Sequence, residues 1–213
     1  MEFWILKANW KSKEAGNAYP QVSCLNQAVS HQLSAHSYPK SNPILKFKLE
    51  SRAKFSDLIT PSSITATGLL ISQKVKSILD KHNLPDHRYF KATINSSKGT
   101  QVETYYWLHI FNPSSLDWID YNNSVFFYTK YGFREGSIQF NSFKESRIKK
   151  EQLVGKMGTI EIEKIILNSN FDKTLDLFNF EYFDHEIHIS NRLKKALESE
   201  NITGLEMKES NCC

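Results

Sequence analysis

Five consecutive residues, Asp184-His185-Glu186-Ile187-His188, form the densest group of potential metal or acid–base ligands in the chain. The two histidines of a helical zinc motif stand four positions apart, so that both lie on one face of the helix. Here the histidines are three apart and directly precede a predicted helix cap. In an extended segment they point to opposite faces. We therefore expect surface histidines and no metal.

Nucleophilic catalysis would need a nucleophile beside a positioned base. Cys24 could pair with His31 or His36, but closeness in sequence does not show closeness in space, and the segment has no cysteine-hydrolase signature. Neither a G-x-S-x-G motif nor a glycine-rich phosphate loop occurs among the 8 glycines. The sequence therefore predicts no catalytic residue and no cofactor, and it indicates a protein that is not an enzyme.

Aromatic residues are concentrated in two segments that could bind a partner. Tyr105-Tyr106-Trp107 places aromatic side chains on both faces of a predicted strand, which either is buried on both sides or supplies binding hot spots. Segment 171–184 interleaves aromatic with acidic residues, as a face for a basic protein would. The candidate partner-binding residues are Tyr105, Trp107, Asp172, Asp176, Phe178, Phe180, Glu181, Tyr182 and Asp184.

The charge is nearly balanced, with 27 Lys and Arg against 23 Asp and Glu, or +4. This excess is too small for a dedicated nucleic-acid binder. Basic residues cluster at 144–156, whereas 157–189 carries seven acidic residues against two lysines. Such stretches are either solvated faces or a partner-binding surface. Because the aromatic segments are not the basic ones, single-stranded nucleic-acid binding is not expected.

The composition, 40% hydrophobic and 23% charged, is that of a globular protein. There is no apolar run of 18 residues, and the first residues lack the pattern of a secretory signal, so we expect a cytoplasmic protein without a membrane span. Three cysteines without a C-x-x-C spacing argue against a disulfide framework or a zinc ribbon. We expect the terminal pair, Cys212 and Cys213, to lie in a frayed tail with exposed thiols.

Two amphipathic helices are predicted at about 72–82 and 190–200, each beginning at a serine that can cap it. The segments 71–84 and 189–202 align without gaps, with five of 14 residues identical and five similar. Most of the remaining chain has the composition of strands. We therefore predict an α+β fold, a mainly antiparallel sheet with two similar helices, arranged as two pseudo-repeated halves.

The domain boundaries follow from the same pattern. Residues 1–54 are predicted to contribute strands and a long polar loop to the same domain as 55–213. The polar part, 11–43, is either a functional loop or contains a short helix. Further along, 132–136 is predicted to be the five-residue loop of a hairpin, and 144–154 a short, basic, exposed helix.

The order of several segments carries a family resemblance. The first helix at 71–84 is followed by Y-Y-W-L-H-I and W-I-D-Y-N-N-S-V-F, and Ser190 to Glu206 reads S-x-R-L-K-x-A-L-E-x-x-x-x-T-G-L-E. Over about 55–207 this order resembles a family of bacterial immunity proteins from polymorphic-toxin systems.

The resemblance implies a small cytoplasmic protein that binds a cognate toxin and neutralises it by stoichiometric occlusion, with no turnover and no cofactor. It transfers no catalytic residue, since the shared positions are caps, apolar stripes and strand aromatics. Immunity proteins that imitate nucleic acid are strongly acidic. Because this chain carries +4, we hypothesise that its toxin is either not a nuclease or is blocked away from its nucleic-acid groove.

Two other functions stay open. One is a small-molecule enzyme or binding protein that uses a pocket near 105–109 or 184–188. The other is a scaffold that forms a homodimer through an exposed aromatic patch. A deep pocket with convergent titratable groups would favour the enzyme, and a broad aromatic patch would favour a binding protein.

Overall fold

The computed structural model describes residues 2–34, 37–154, 157–180 and 182–213, and only the backbone of 184 and 185. Its strands are β1 (Phe3–Ala8), β2 (Val22–Cys24), β3 (Leu45–Leu49), β4 (Leu58–Ile59), β5 (Gly68–Ser72), β6 (His87–Asn95), β7 (Val102–Ile110), β8 (Val125–Lys130), β9 (Phe133–Ile138), β10 (Gly158–Lys164), β11 (Leu177–Phe180), β12 (Asp184–Ser190) and β13 (Leu205–Glu209). Its helices are α1 (Gln27–Ser30), α2 (Gln73–Leu79), α3 (Phe143–Val154) and α4 (Asn191–Ser199), with a 3-10 helix at Pro113–Trp118. The predicted α+β class is confirmed.

The strands form three sheets. The first has the order β2-β3-β6-β7-β5-β4, the second β11-β12-β1-β13 and the third β10-β8-β9. Among the pairs of described strands, β3 with β6 is parallel and the others are antiparallel. The prediction of a mainly antiparallel system therefore holds.

Two halves of the molecule share one arrangement. In the first half β4 pairs with β5, α2 follows β5, and β6 follows α2; in the second half β11, β12, α4 and β13 repeat that order. Within the first sheet, β7 lies between β5 and β6 and pairs with both. Within the second sheet, β1 takes the same place between β12 and β13. The second half thus takes its central strand from the start of the chain, which makes it a circular permutation of the first.

Individual contacts repeat as well. Ser72 caps α2 by accepting a hydrogen bond from the N–H of Val75 at 3.3 Å. Ser190 caps α4 in the same way, through the N–H of Leu193 at 3.1 Å. Helix α2 ends about one turn earlier than predicted, because the residues after Leu79 form tighter turns in which the N–H of His82 bonds three residues back. Helix α4 ends at Ser199, within one residue of its predicted end. None of the helices in the described ranges is long and apolar enough to cross a membrane.

The two helices and the facing sheets enclose one shared core. Its members come in equivalent pairs from the two halves: Leu58 and Leu177, Ile71 and Ile189, Val75 and Leu193, Leu79 and Leu197, and Leu108 and Leu6. Burying one such side chain stabilises the fold by about 1.5–3 kcal/mol. Because each half contributes half of the core, neither half buries its apolar residues alone.

The repeat continues beyond β6 and β13. Phe47 of β3 lies parallel to Ile94, and at the equivalent place Ile165 forms a parallel bridge with Cys212. The N–H of Cys213 donates to the carbonyl of Ile165 at 3.0 Å. Cys212 is buried and Cys213 is exposed. The expected frayed tail with two exposed thiols is therefore wrong, because the last residues extend the second sheet.

The equivalence of Phe47 and Ile165 exposes a difference between the halves. The segment before Phe47 in the first half holds β2 and the one-turn helix α1, so the predicted short helix within 11–43 is present. The segment before Ile165 holds β8, β9, α3 and β10. We call Val125–Lys164 the inserted module, since it adds a third sheet and a helix that have no counterpart in the first half.

Candidate partner-binding surface

Five of the predicted partner-binding residues are buried. Tyr105 and Trp107 belong to the outer core of the first sheet, and Phe178 and Phe180 belong to that of the second. Asp176 is 1% exposed. The prediction has to be corrected for these five, because the four aromatic residues lie in strands that are covered on both faces and Asp176 is buried just before β11, so their side chains cannot form a surface.

Asp176 is a structural anion. Its carboxylate accepts hydrogen bonds from the hydroxyl of Ser190 at 2.6 Å, from Nε of Arg192 at 2.8 Å and from the N–H of Asn83 at 3.0 Å. Burial opposes its ionisation, but these donors outweigh burial and hold the pKa of Asp176 below its ordinary value. An acid satisfied in this way has no capacity left for a basic partner.

The other four predicted residues have different surroundings. Asp172 is exposed, and its carboxylate accepts from the N–H and the hydroxyl of Thr174 in a local turn. Tyr182 is half-buried, with its ring 5.0 Å from that of Phe143 in α3. Glu181 and the side chain of Asp184 lie outside the described residues. A partner-binding role stays a prediction for all four residues.

The histidines of the two segments that an enzyme pocket could use, 105–109 and 184–188, are packed in cores where the structure describes their side chains. His109 is buried, its Nε2 lies 3.0 Å from the carbonyl oxygen of Ser34, and the ring of Tyr38 meets it edge-on. His188 is also buried and stacks on Phe178, so the expectation of a surface histidine is wrong there. Its strand β12 is central, with neighbours on both sides. In the described part of the chain no three His, Cys, Asp or Glu side chains form a metal-binding group.

A groove of about 350 Å³ lies between the first two sheets. Its floor includes Leu6, Leu58 and Leu69, and its rim includes the half-buried Trp10 and the exposed Tyr19. The charged side chains on its wall, Lys7 and Glu186, form an ion pair with each other. Because these two charged groups bind each other, neither is directed at a substrate as a catalytic group would be. The groove therefore does not favour an enzyme.

The inserted module carries most of the large hydrophobic residues that are exposed in the described chain. Ten large hydrophobic residues are exposed in the described chain, and six of them fall within its 33 residues from 125 to 157. They are Val125, Tyr131, Phe133, Ile148, Val154 and Met157. Single exposed apolar residues are ordinary, but a cluster of them marks an interaction site.

Four of these residues meet at the tip of the hairpin β8–β9. The turn is Tyr131–Gly132, with φ of 52° and 82°, so the predicted five-residue loop is wrong. These positive φ values fit a two-residue turn whose twist matches the strands. The N–H of Tyr131 donates to the carbonyl oxygen of Met157 at 3.0 Å. The N–H of Met157 in turn donates to the carbonyl oxygen of Val154 at 3.1 Å. We call Tyr131, Phe133, Val154 and Met157, which are 62–74% exposed, the apolar tip.

The module is also basic, with eight Lys and Arg against five Asp and Glu from 125 to 164. Arg134 is paired with Glu163 and lies over the ring of Phe127. Among the described residues no acidic side chain is within ion-pair distance of Lys130, Lys144 or Lys149. The described part of the inserted module therefore carries unpaired positive charge.

The sequence model of one protein family, described as Immunity protein family (Imm11), matches residues 6–211. The chain belongs to this family. The resemblance seen at 55–207 is thus confirmed, and it extends towards the start of the chain as far as the second part of β1, which the fold explains because β1 completes the second half. No curated protein matches this immunity protein.

Sequence reasoning missed the apolar tip of this immunity protein. The glycines at 132 and 136 do predict a hairpin loop in this segment. They do not predict that the flanking aromatic side chains are exposed, because aromatic residues indicate burial as readily as binding.

Proposed function

We propose that this immunity protein binds a cognate toxin and neutralises it by stoichiometric occlusion, with the inserted module as its contact surface. The family membership supports the general role. The observation that carries the proposal is the apolar tip, because it lies on a module that is absent from the first half. Insertions on a stable scaffold are where binding surfaces are commonly built.

The geometry suits a binding protein. A two-residue turn and strand pairing with β8 fix Tyr131 and Phe133, so they lose little conformational freedom when they dock. Aromatic residues and methionine are enriched at interface cores, and a few such residues supply most of the binding energy. The unpaired lysines would attract an acidic toxin surface and raise the association rate.

The charge bears on the kind of toxin. A protein that blocked a nuclease by imitating nucleic acid would need an acidic face, and the inserted module is basic. We therefore retain the hypothesis that the toxin either is not a nuclease or is bound away from its nucleic-acid groove. We also propose that the protein acts in the cytoplasm, without catalysis.

The test is a tagged pull-down from the native organism, followed by co-expression with the toxin domain that it captures. The proposal expects a near-stoichiometric partner whose C-terminal domain kills cells unless this protein is present. If the protein is recovered alone from cells that also express the product of the gene next to its own, that result would contradict the immunity role. A homodimer in place of the toxin would favour the scaffold alternative.

A further inference from the structure

We propose that the toxin contributes an extended segment that pairs with the free edge of β9 and inserts an apolar side chain between β9 and α3. This inference rests on the proposed function and specifies how the inserted module binds. The expected occupant of the groove between β9 and α3 is a toxin strand in which an apolar residue stands next to acidic residues.

The edge of β9 is open. In the order β10-β8-β9 no described strand pairs with the other side of β9. Along a strand, the backbone N–H and C=O groups of successive residues point alternately to its two neighbours. The N–H of Tyr131, just after β8, points towards β10. The backbone groups of Phe126 therefore point to β9, where Phe126 pairs with Ile138. The backbone groups of the next residue, Ser137, then point away from β8. Ser137 is exposed, and outside the strand ladder its N–H forms no backbone hydrogen bond with the described residues.

A groove runs beside this edge. It has a volume of about 320 Å³, and its apolar lining comes from Ile138, Phe140 and Ile148. The residues of α3 that line it follow helical spacing, so one face of the helix forms a continuous wall: Glu145, Ile148, Lys149 and Gln152. Added strands bind through main-chain hydrogen bonds to the edge and gain specificity from such side-chain pockets.

The bulge in β9 sets where the added strand can pair. The register with β8 shifts between Arg134 and Gly136, which leaves Glu135 as the extra residue. A bulge interrupts pairing and turns the strand edge. Regular pairing is therefore confined to 136–138, and Ile138 at the end of this stretch lines the groove.

The charges beside the groove favour an acidic partner. Lys149 lines the groove and Lys144 lies one turn earlier in α3, and neither has an acidic neighbour within ion-pair distance in the described residues. Glu145 also lines the groove, but its carboxylate already accepts hydrogen bonds from Asn141. These neutral donors leave the negative charge of Glu145 in place, but the two lysines outnumber it. The net charge beside an incoming strand is therefore positive, and carboxylates on that strand would complement it.

Photo-crosslinking in the complex tests the position of the strand. A benzophenone amino acid replaces Gln139 beside the groove or, as the matched control, Glu161 on the opposite edge strand β10; both side chains are exposed. We expect a crosslink to a toxin peptide from position 139 that is at least fivefold more abundant than from position 161. The reverse ratio, with toxin capture intact, would overturn the inference and leave the proposed function standing. Failure of the unmodified chain to capture a toxin would overturn the proposed function itself.

A backbone substitution provides a second readout. Ser137→Pro removes the outward N–H and obstructs an added strand, whereas Ser137→Ala keeps that N–H. We expect toxin affinity to fall at least tenfold for the proline variant and less than twofold for the alanine variant. Equal affinities in two folded variants would contradict strand addition. If the proline variant does not fold, the crosslink ratio decides.

Discussion

The carboxylate of Asp57 accepts two hydrogen bonds from Thr203, one from the backbone N–H at 2.9 Å and one from the hydroxyl at 2.8 Å. The two residues lie in different halves. The other oxygen of Asp57 accepts from the hydroxyl of Ser72, the cap of α2, at 2.7 Å. Asp57 thus holds the start of its own helix and the segment that follows the helix of the other half.

Asp176 repeats this arrangement from the second half. It binds Ser190, the cap of α4, and the N–H of Asn83, which follows α2. The two aspartates therefore join the halves reciprocally at both ends of the helix pair. The two halves are therefore joined by polar contacts in addition to the shared apolar core.

We expect Asp57→Asn to lower the free energy of unfolding by about 1–3 kcal/mol, because an amide cannot accept at both former oxygens and leaves donors unpaired. Urea denaturation measures this loss. The control is Asp172→Asn, where an exposed carboxylate serves only a local turn, and it should cost less than about 1 kcal/mol. Equal losses in both variants would show that Asp57 does not join the halves.

The helices could be predicted because their signals are local. Ser72 and Ser190 cap helices whose apolar residues recur at helical spacing, and each signal is complete within one segment. The duplication was visible for the same reason. Residues 71–84 and 189–202 keep the caps and apolar positions that the shared core requires.

The rest depends on contacts between distant residues. Nothing near Phe3 indicates that β1 will pair with β12, 187 residues later. In the sequence, Asp176 lies near several aromatic residues and so resembles part of a binding surface. Only the structure shows that its carboxylate binds Arg192. Periodicity also leaves open which strands are covered on both faces, and this is why Tyr105 and Trp107 could be mistaken for a surface.

The fold predicts unequal thiol reactivity. Cys24 and Cys212 are buried and Cys213 is exposed, so one thiol per chain should react rapidly with Ellman's reagent under native conditions, and all three should react in denaturant. A Cys213→Ser variant should lose the rapid phase. Two rapid thiols in the unmodified protein would mean that the terminal residues do not pair with Ile165.

Stability should depend on pH through His109. Burial, with a smaller contribution from Arg88, lowers the pKa of His109 below its ordinary value of about 6.5. The folded state then keeps the ring neutral while the unfolded chain takes up a proton. Stability from this group is therefore complete above about pH 6.5, and as pH falls towards the folded-state pKa it is lost at up to about 1.4 kcal/mol per pH unit.

Urea unfolding at several pH values between 5 and 8 would measure this dependence, with His109→Gln as the comparison. The variant removes the titrating ring, so its stability should fall less steeply below pH 6.5 than that of the unmodified protein. Identical slopes for the unmodified protein and His109→Gln would contradict the assignment.

The apolar tip should dominate toxin binding. Phe133 is 74% exposed, so Phe133→Ser removes little packing and should change the free energy of unfolding by less than about 1 kcal/mol. As a hot-spot residue it should nevertheless weaken toxin binding at least tenfold, or about 1.4 kcal/mol. The measurements are affinity for the captured toxin domain and survival of cells that express it.

Val102→Ser is the matched control for this prediction. Val102 is 60% exposed at the start of β7 in the first sheet, outside the inserted module. Its substitution removes a comparable exposed apolar side chain and should leave toxin affinity within about twofold, since contacts outside the core of an interface contribute little. A larger effect from Val102→Ser than from Phe133→Ser would move the binding surface to the duplicated scaffold. The inserted module would then lose its proposed role, while the family membership would be unaffected.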